Sequence, residues 1–174
     1  MRSLFALASV LVFAGQFYAA AEDGQKVKLE GTHLCCKACE AAVRDILKNA
    51  KVDNVNVDRG AKTISFEADK DVAEKAIKAL YEGGFAGKAT IGDKEFKIDA
   101  KAPDLKADEI TVKNCHICCG QCVNAIKGLF KDAKVTVTGK GAIRDMTVSG
   151  KDLTAEQVLR TLNEAGFNGV IEKK

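Results

Sequence analysis

Chemistry in this chain concentrates in its cysteines and histidines, seven and two of them in 174 residues. Eight of these nine fall into two short runs. His33-Leu34-Cys35-Cys36-Lys37-Ala38-Cys39 recurs as His116-Ile117-Cys118-Cys119-Gly120-Gln121-Cys122, eighty-three positions later. A Cys-x-x-Cys spacing brings Cys36 to Cys39, and Cys119 to Cys122, close enough to grip one soft ion or to close one disulfide. Thiolate pairs select Cu(I) and also take Zn(II) or Hg(II). In an oxidising compartment the same pairs fit a structural disulfide or a thiol–disulfide redox protein. Cys35 and Cys118 enlarge each run. They could complete a three-thiolate site or bridge several ions, although adjacent cysteines point in different directions in most backbones. Cys₃His is an allowed zinc set, which makes His33 and His116 candidate fourth ligands, while a loop histidine bonded to backbone is the plainer alternative. Cys115 has no counterpart in the first run, where Thr32 stands, and reads as a strand-end thiol.

Competing chemistries fail on spacing. Neither Cys-x-x-Cys is followed by His, since Glu40 and Val123 stand there, so covalent haem attachment has no motif. Gly83 to Thr90 does not match a phosphate loop. Both histidines lie inside the cysteine runs, which leaves a Ser-His-Asp triad without a base. The expectation is a binding protein with no catalytic residues, not an enzyme.

The elements that position these runs repeat as well. Val27 and Leu29, like Ile110 and Val112, alternate as strands before each run. A helical pattern follows, with Cys39, Ala42, Val43, Ile46 and Leu47 in one copy and Cys122, Ala125, Ile126, Leu129 and Phe130 in the other. Two alternating stretches come next, Val55 and Val57 then Ile64 and Phe66, matched by Val135 and Val137 then Met146 and Val148. Second helices are predicted over Val72–Tyr81 and Ala155–Ala165, the latter opened by Thr154 and Gln157 as a capping box. Gly84-Phe85-Ala86-Gly87 then recurs as Gly166-Phe167-Asn168-Gly169. Each copy reads strand, helix, strand, strand, helix, strand. The expected fold is therefore α+β, with two tandem ferredoxin-like βαββαβ domains. The predicted boundaries are 22–92 and 109–174, with 93–108, which holds Pro103, as a linker. Glu95-Phe96-Lys97-Ile98 alternates and could add an edge strand. A thiol pair where a strand turns into a helix is also well placed chemically, because the free N–H groups there lower cysteine pKa.

On these residues the chain resembles the heavy-metal-associated domains of copper chaperones and of copper-transporting ATPases. The resemblance rests on Cys-x-x-Cys in the first loop of a βαββαβ unit and on the Gly-Phe pair after the second helix. It implies that Cys36 with Cys39, and Cys119 with Cys122, each bind Cu(I), and that Phe85 and Phe167 pack beneath the metal loop. It also implies a metal-donor or metal-acceptor partner such as a copper transporter, and a carrier or scavenger that hands metal on by thiolate exchange. A small exported member of the same family captures mercury, which keeps Hg(II) beside Cu(I). The chain departs from the family in having Leu34 and Ile117 where Met is usual, an exchange of one apolar plug for another. It departs more sharply in having Cys35 and Cys118 where Thr or His is usual.

Residues 1–21 read as a secretory signal, with Arg2, an apolar run from Leu4 to Gly15, and Ala19-Ala20-Ala21 as the cleavage site. The run is short of the roughly 20 apolar residues a bilayer span needs. The expectation is a periplasmic or secreted protein, not integral to a membrane after cleavage. A net charge of +3, from 27 basic and 24 acidic residues, provides no basic field for nucleic acid.

Overall fold

The computed structural model describes residues 24–98 and 102–172; the signal and its cleavage site lie outside them. In the first half, β1 (Gln25–Glu30), α1 (Lys37–Asn49), β2 (Asn56–Asp58), β3 (Thr63–Ala68), α2 (Lys70–Glu82), β4 (Lys88–Ile91) and β5 (Lys94–Phe96) follow in sequence. The strands form an antiparallel sheet in the order β2-β3-β1-β4-β5. Period-2 alternation fixes its register. Val27 lies opposite Phe66 and Leu29 opposite Ile64, so all four side chains share the buried face. Both helices cover that face, α1 through Cys39, Val43 and Leu47, and α2 through Ala73, Ala76, Ile77 and Leu80. These residues recur at the three- and four-residue spacing of an amphipathic helix.

The second half contains β6 (Lys106–His116), α3 (Gly120–Leu129), β7 (Lys134–Thr138), β8 (Ile143–Thr154) and α4 (Ala155–Glu164), with the antiparallel sheet order β6-β8-β7. Its core repeats the first in kind, built on Ile110, Val112, Ile126, Met146, Val148, Val158 and Leu162. Thr154 caps α4 as its spacing predicts, its Oγ1 accepting from the Gln157 N–H at 3.2 Å.

The protein is therefore α+β, with four helices and two antiparallel sheets among the described residues, a connectivity compatible with ferredoxin-like folds. The edge strand expected around Glu95–Ile98 forms as β5, which pairs Phe96 with Ala89, and β6 begins at Lys106, within the segment expected as a linker. One expectation needs correction. The closing strand expected in the second half shrinks to one bridge between Lys113 and Val170, whose N–H and C=O groups bond reciprocally at 2.8 and 2.9 Å. The cause lies in the strand it would have joined: β6 loses register between Val112 and Cys115, where Asn114 adopts φ 57°. A bulge leaves too little straight edge for a ladder.

Candidate metal centre

Each cysteine run turns the corner from strand to helix in the same way. Cys36 caps α1 with φ −151° and ψ 172°, and Cys119 caps α3 with φ −151° and ψ 173°. The residue two positions before each cap, Leu34 or Ile117, is buried as an apolar plug. Three positions beyond the cap, Cys39 or Cys122 lies on the buried side of the first helical turn and is fully inaccessible.

The two Gly-Phe segments bring these corners together. Phe85 and Phe167 form an antiparallel bridge between the halves. The Ala86 N–H donates to Gly166 O at 3.1 Å, the Asn168 N–H to Gly84 O at 2.9 Å, and the His33 N–H to Gly166 O at 3.2 Å. The Asn168 side chain adds a bond to Tyr81 O at 2.8 Å. Only a residue without a Cβ permits this approach. Gly84 and Gly166 have φ 87° and 84°, and a Cβ at Gly166 would sit 2.7 Å from the Thr32 carbonyl carbon. The aromatic contacts then cross over. His33 stacks on Phe167 at 4.1 Å between ring centroids, and His116 packs on Phe85 at 4.5 Å. Each Phe thus lies under the histidine of the opposite half.

Six sulfurs converge as a result. Within each half, Cys36 lies 3.8 Å from Cys39 and Cys119 lies 3.7 Å from Cys122. Cys35 reaches across to Cys119 at 3.5 Å and Cys122 at 3.4 Å, while staying 3.7 Å from Cys39. Cys118 makes the mirror contacts, with Cys36 and Cys39 at 3.4 Å each and Cys122 at 3.7 Å. Two groups of four could hold a metal ion, Cys35, Cys36, Cys39 and Cys118 in one and Cys35, Cys118, Cys119 and Cys122 in the other. Within each, the ligand atoms all lie within 4.8 Å of one another. Cys35 and Cys118 pack against both hydrophobic cores.

Crowding six thiols sets their acidities apart. Burial raises Cys35, with the thiols of Cys122 and Cys119 adding to it, and burial followed by Cys36 pushes Cys118 up to about 12. Cys39 is raised most strongly by its neighbour Cys122, then by burial. Cys122 is held down to about 2, chiefly by the Cys39 thiol, against burial and with help from His33 and Cys35. At Cys36, burial works upward but is outweighed by the backbone N–H groups of Cys39 and Ala38 and by the Cys118 thiol, leaving it at about 7. The helix N-terminus thus favours thiolate, while the low-dielectric crowd resists full ionisation.

The four cysteines expected as ligands, Cys36, Cys39, Cys119 and Cys122, all lie in this cluster, and Cys35 and Cys118 occupy its centre. The two runs do not form separate sites, as the repeat alone implies, because the Gly-Phe bridge seats one against the other. His33 and His116 belong to neither four-ligand group; His33 stacks on Phe167 and His116 lies tilted against Phe85, and their Nε2 atoms are buried without a hydrogen-bond partner among the described residues. Burial lowers the His116 pKa first, with His33 adding to that and Cys122 opposing it. Cys115, next to last in β6, lies in the second core apart from both groups, and burial pushes its thiol up to about 12. The role of Gly84 and Gly166 in joining the halves is not visible in either copy alone; its one trace in the sequence is that both copies carry the pair.

Among known proteins, no family model matches the chain, and no curated protein matches it. Among solved structures, the ligand-free regulatory subunit of aspartate kinase from Thermus thermophilus shares 16% identity, with a TM-score of 0.32 over 82% of this chain and 91% of that one. Its counterpart from Thermus flavus gives 16%, 0.32, 82% and 92%. Neither lends the cysteine cluster a function. Architecture and cluster together describe an α+β protein of two antiparallel sheets with a group of cysteines that could hold a metal ion.

Proposed function

We propose that this protein is an exported soft-metal-binding protein that takes up Cu(I) and holds it. The observation that carries this reading is the convergence of six thiol sulfurs from both halves, with nearest separations of 3.4 to 3.8 Å. No carboxylate belongs to either four-ligand group, and an all-sulfur donor set discriminates against hard ions. Hg(II) and Zn(II) are the competing cargoes on the same grounds. The resemblance to heavy-metal-associated domains points to Cu(I), as tandem domains exchanging metal with a donor or acceptor protein such as a copper transporter. The leader-like residues 1–21 support export. Burial of Cys39 and Cys122 favours retention, and so a scavenger, over rapid hand-on, since an incoming thiol must first reach the ion.

Anaerobic titration of the fully reduced protein with Cu(I) against a competing chelator tests this. High-affinity uptake that weakens in Cys36→Ser and Cys119→Ser is expected. Absence of uptake, or uptake indifferent to both changes, refutes it. A redox reading draws on the cross-half pairs Cys35 with Cys122 and Cys36 with Cys118, each 3.4 Å apart. Native mass spectrometry of protein isolated without reductant separates the two readings, because bound metal adds mass and each disulfide removes two hydrogens.

A further inference from the structure

The four-sulfur groups overlap in an informative way. They have two members in common, Cys35 and Cys118, and keep two each of their own, Cys36 with Cys39 and Cys119 with Cys122. The common members are the first cysteines of the two runs, the residues that neither Cys-x-x-Cys pair accounts for. The private members are the Cys-x-x-Cys pairs. Two four-coordinate ions need eight sulfur positions, and six sulfurs supply eight when two are counted twice.

We propose that Cys35 and Cys118 are bridging ligands, so that the six thiolates hold two d¹⁰ metal ions in one sulfur-bridged centre, each ion taking one private Cys-x-x-Cys pair and both bridges. This rests on the soft-metal reading and assigns its stoichiometry and connectivity. Distances agree with it. A metal–sulfur bond of about 2.3 Å places tetrahedral sulfurs about 3.8 Å apart. Eight of the sulfur pairs within the groups span 3.4 to 3.8 Å and the others, Cys35 with Cys118 among them, lie within 4.8 Å, so filling the centre asks for shifts of about an ångström at most. Charge agrees as well. Six thiolates leave a net charge of −4 with two Cu(I) ions and −2 with two divalent ions such as Cd(II), Zn(II) or Hg(II), and the N-terminal turns of α1 and α3, capped by Cys36 and Cys119, both adjoin the cluster. Each contributes about half a positive charge. Both bridging cysteines pack against both cores, as a sulfur shared between halves must.

Cd(II) is the probe, as a four-coordinate d¹⁰ ion with a spin-active isotope. Reduced full-length protein is titrated with ¹¹³Cd(II), ions per chain are counted by native mass spectrometry, and ¹¹³Cd NMR is recorded. Two ions per chain are expected, with two resonances that couple to each other through the bridging sulfurs. Cys36→Ser should shift the resonance of the ion in its own half far more than the other, whereas Cys35→Ser should shift both. Two uncoupled resonances would overturn the bridge while leaving the soft-metal reading standing, as would a Cys35→Ser effect confined to one ion. A single bound ion per chain would also overturn the two-ion centre. Absence of Cd(II) and Cu(I) uptake would overturn both readings. The coupling is measured on the unaltered protein, so the test stands even if a variant fails to fold.

Discussion

Joining of the halves through Gly166 can be tested with a single methyl group. Gly166 sits at φ 84°, where an L-residue costs about 1–2 kcal/mol. The added Cβ would also run into the His33 amide nitrogen and the Gly31 carbonyl oxygen and lie 2.7 Å from the Thr32 carbonyl carbon. All three are backbone atoms of the opposite half, which cannot rotate aside as a side chain would. Overpacking of this kind adds about 1–3 kcal/mol, for a total of about 2–5 kcal/mol in Gly166→Ala. The strain can be relieved only by parting the halves, which weakens the His33 N–H and Ala86 N–H bonds to Gly166 O. Gly92→Ala is the control, because Gly92 has φ 58° and a Cβ added there would meet nothing within 4 Å. It should cost only the conformational part, about 1–2 kcal/mol. Urea unfolding of the reduced, metal-free variants gives both values, and ¹¹³Cd NMR reports whether the sulfurs of the two halves still meet. Gly166→Ala should be the more destabilising and should abolish coupling between the two cadmium ions. Equal costs for the two variants would refute the view that Gly166 exists to let the halves approach.

Phe85→Ala and Phe167→Ala should each destabilise by about 3–5 kcal/mol in urea unfolding, since both rings are 1% exposed and each supports the opposite histidine. A loss under about 1 kcal/mol would contradict their place in the core. Cys115 gives a pH signature. Its folded pKa is raised to about 12 by burial, with Asp145 adding to it, so the folded state disfavours thiolate and the unfolded state ionises first, near about pH 8.5. The resulting stability is fully present below that pH and is lost as pH rises toward 12, by about 1.4 kcal/mol per unit. Unfolding of the reduced protein from about pH 8 to 11 should therefore show wild type losing stability relative to Cys115→Ala, and parallel curves would refute the burial of that thiol. Thr154→Ala should cost about 1 kcal/mol through loss of the bond from the Gln157 N–H, whereas Thr154→Ser should restore most of it in thermal melts.

Local periodicity and short-range spacing were enough to specify the elements and the thiol-bearing corners. Alternation at Val27 and Leu29, and at Ile110 and Val112, dictates strands with one buried face, and the spacing of Cys39, Val43 and Leu47 dictates a helix whose first turn carries a cysteine inward. The repeat of the cysteine runs made their matched corner geometry legible from the residues alone. Three outcomes depended instead on contacts between distant segments, which no local rule contains. The closing strand of the second half gave way to a single bridge because a left-handed Asn114 breaks the edge it would have joined. The histidines went to the phenylalanines of the opposite half, whose apolar ring faces cover them. Above all, two runs of three cysteines, eighty-three residues apart, became one six-sulfur cluster. That outcome depends on two glycines leaving room for backbone to meet backbone across the halves, a fit between surfaces that neither copy carries alone.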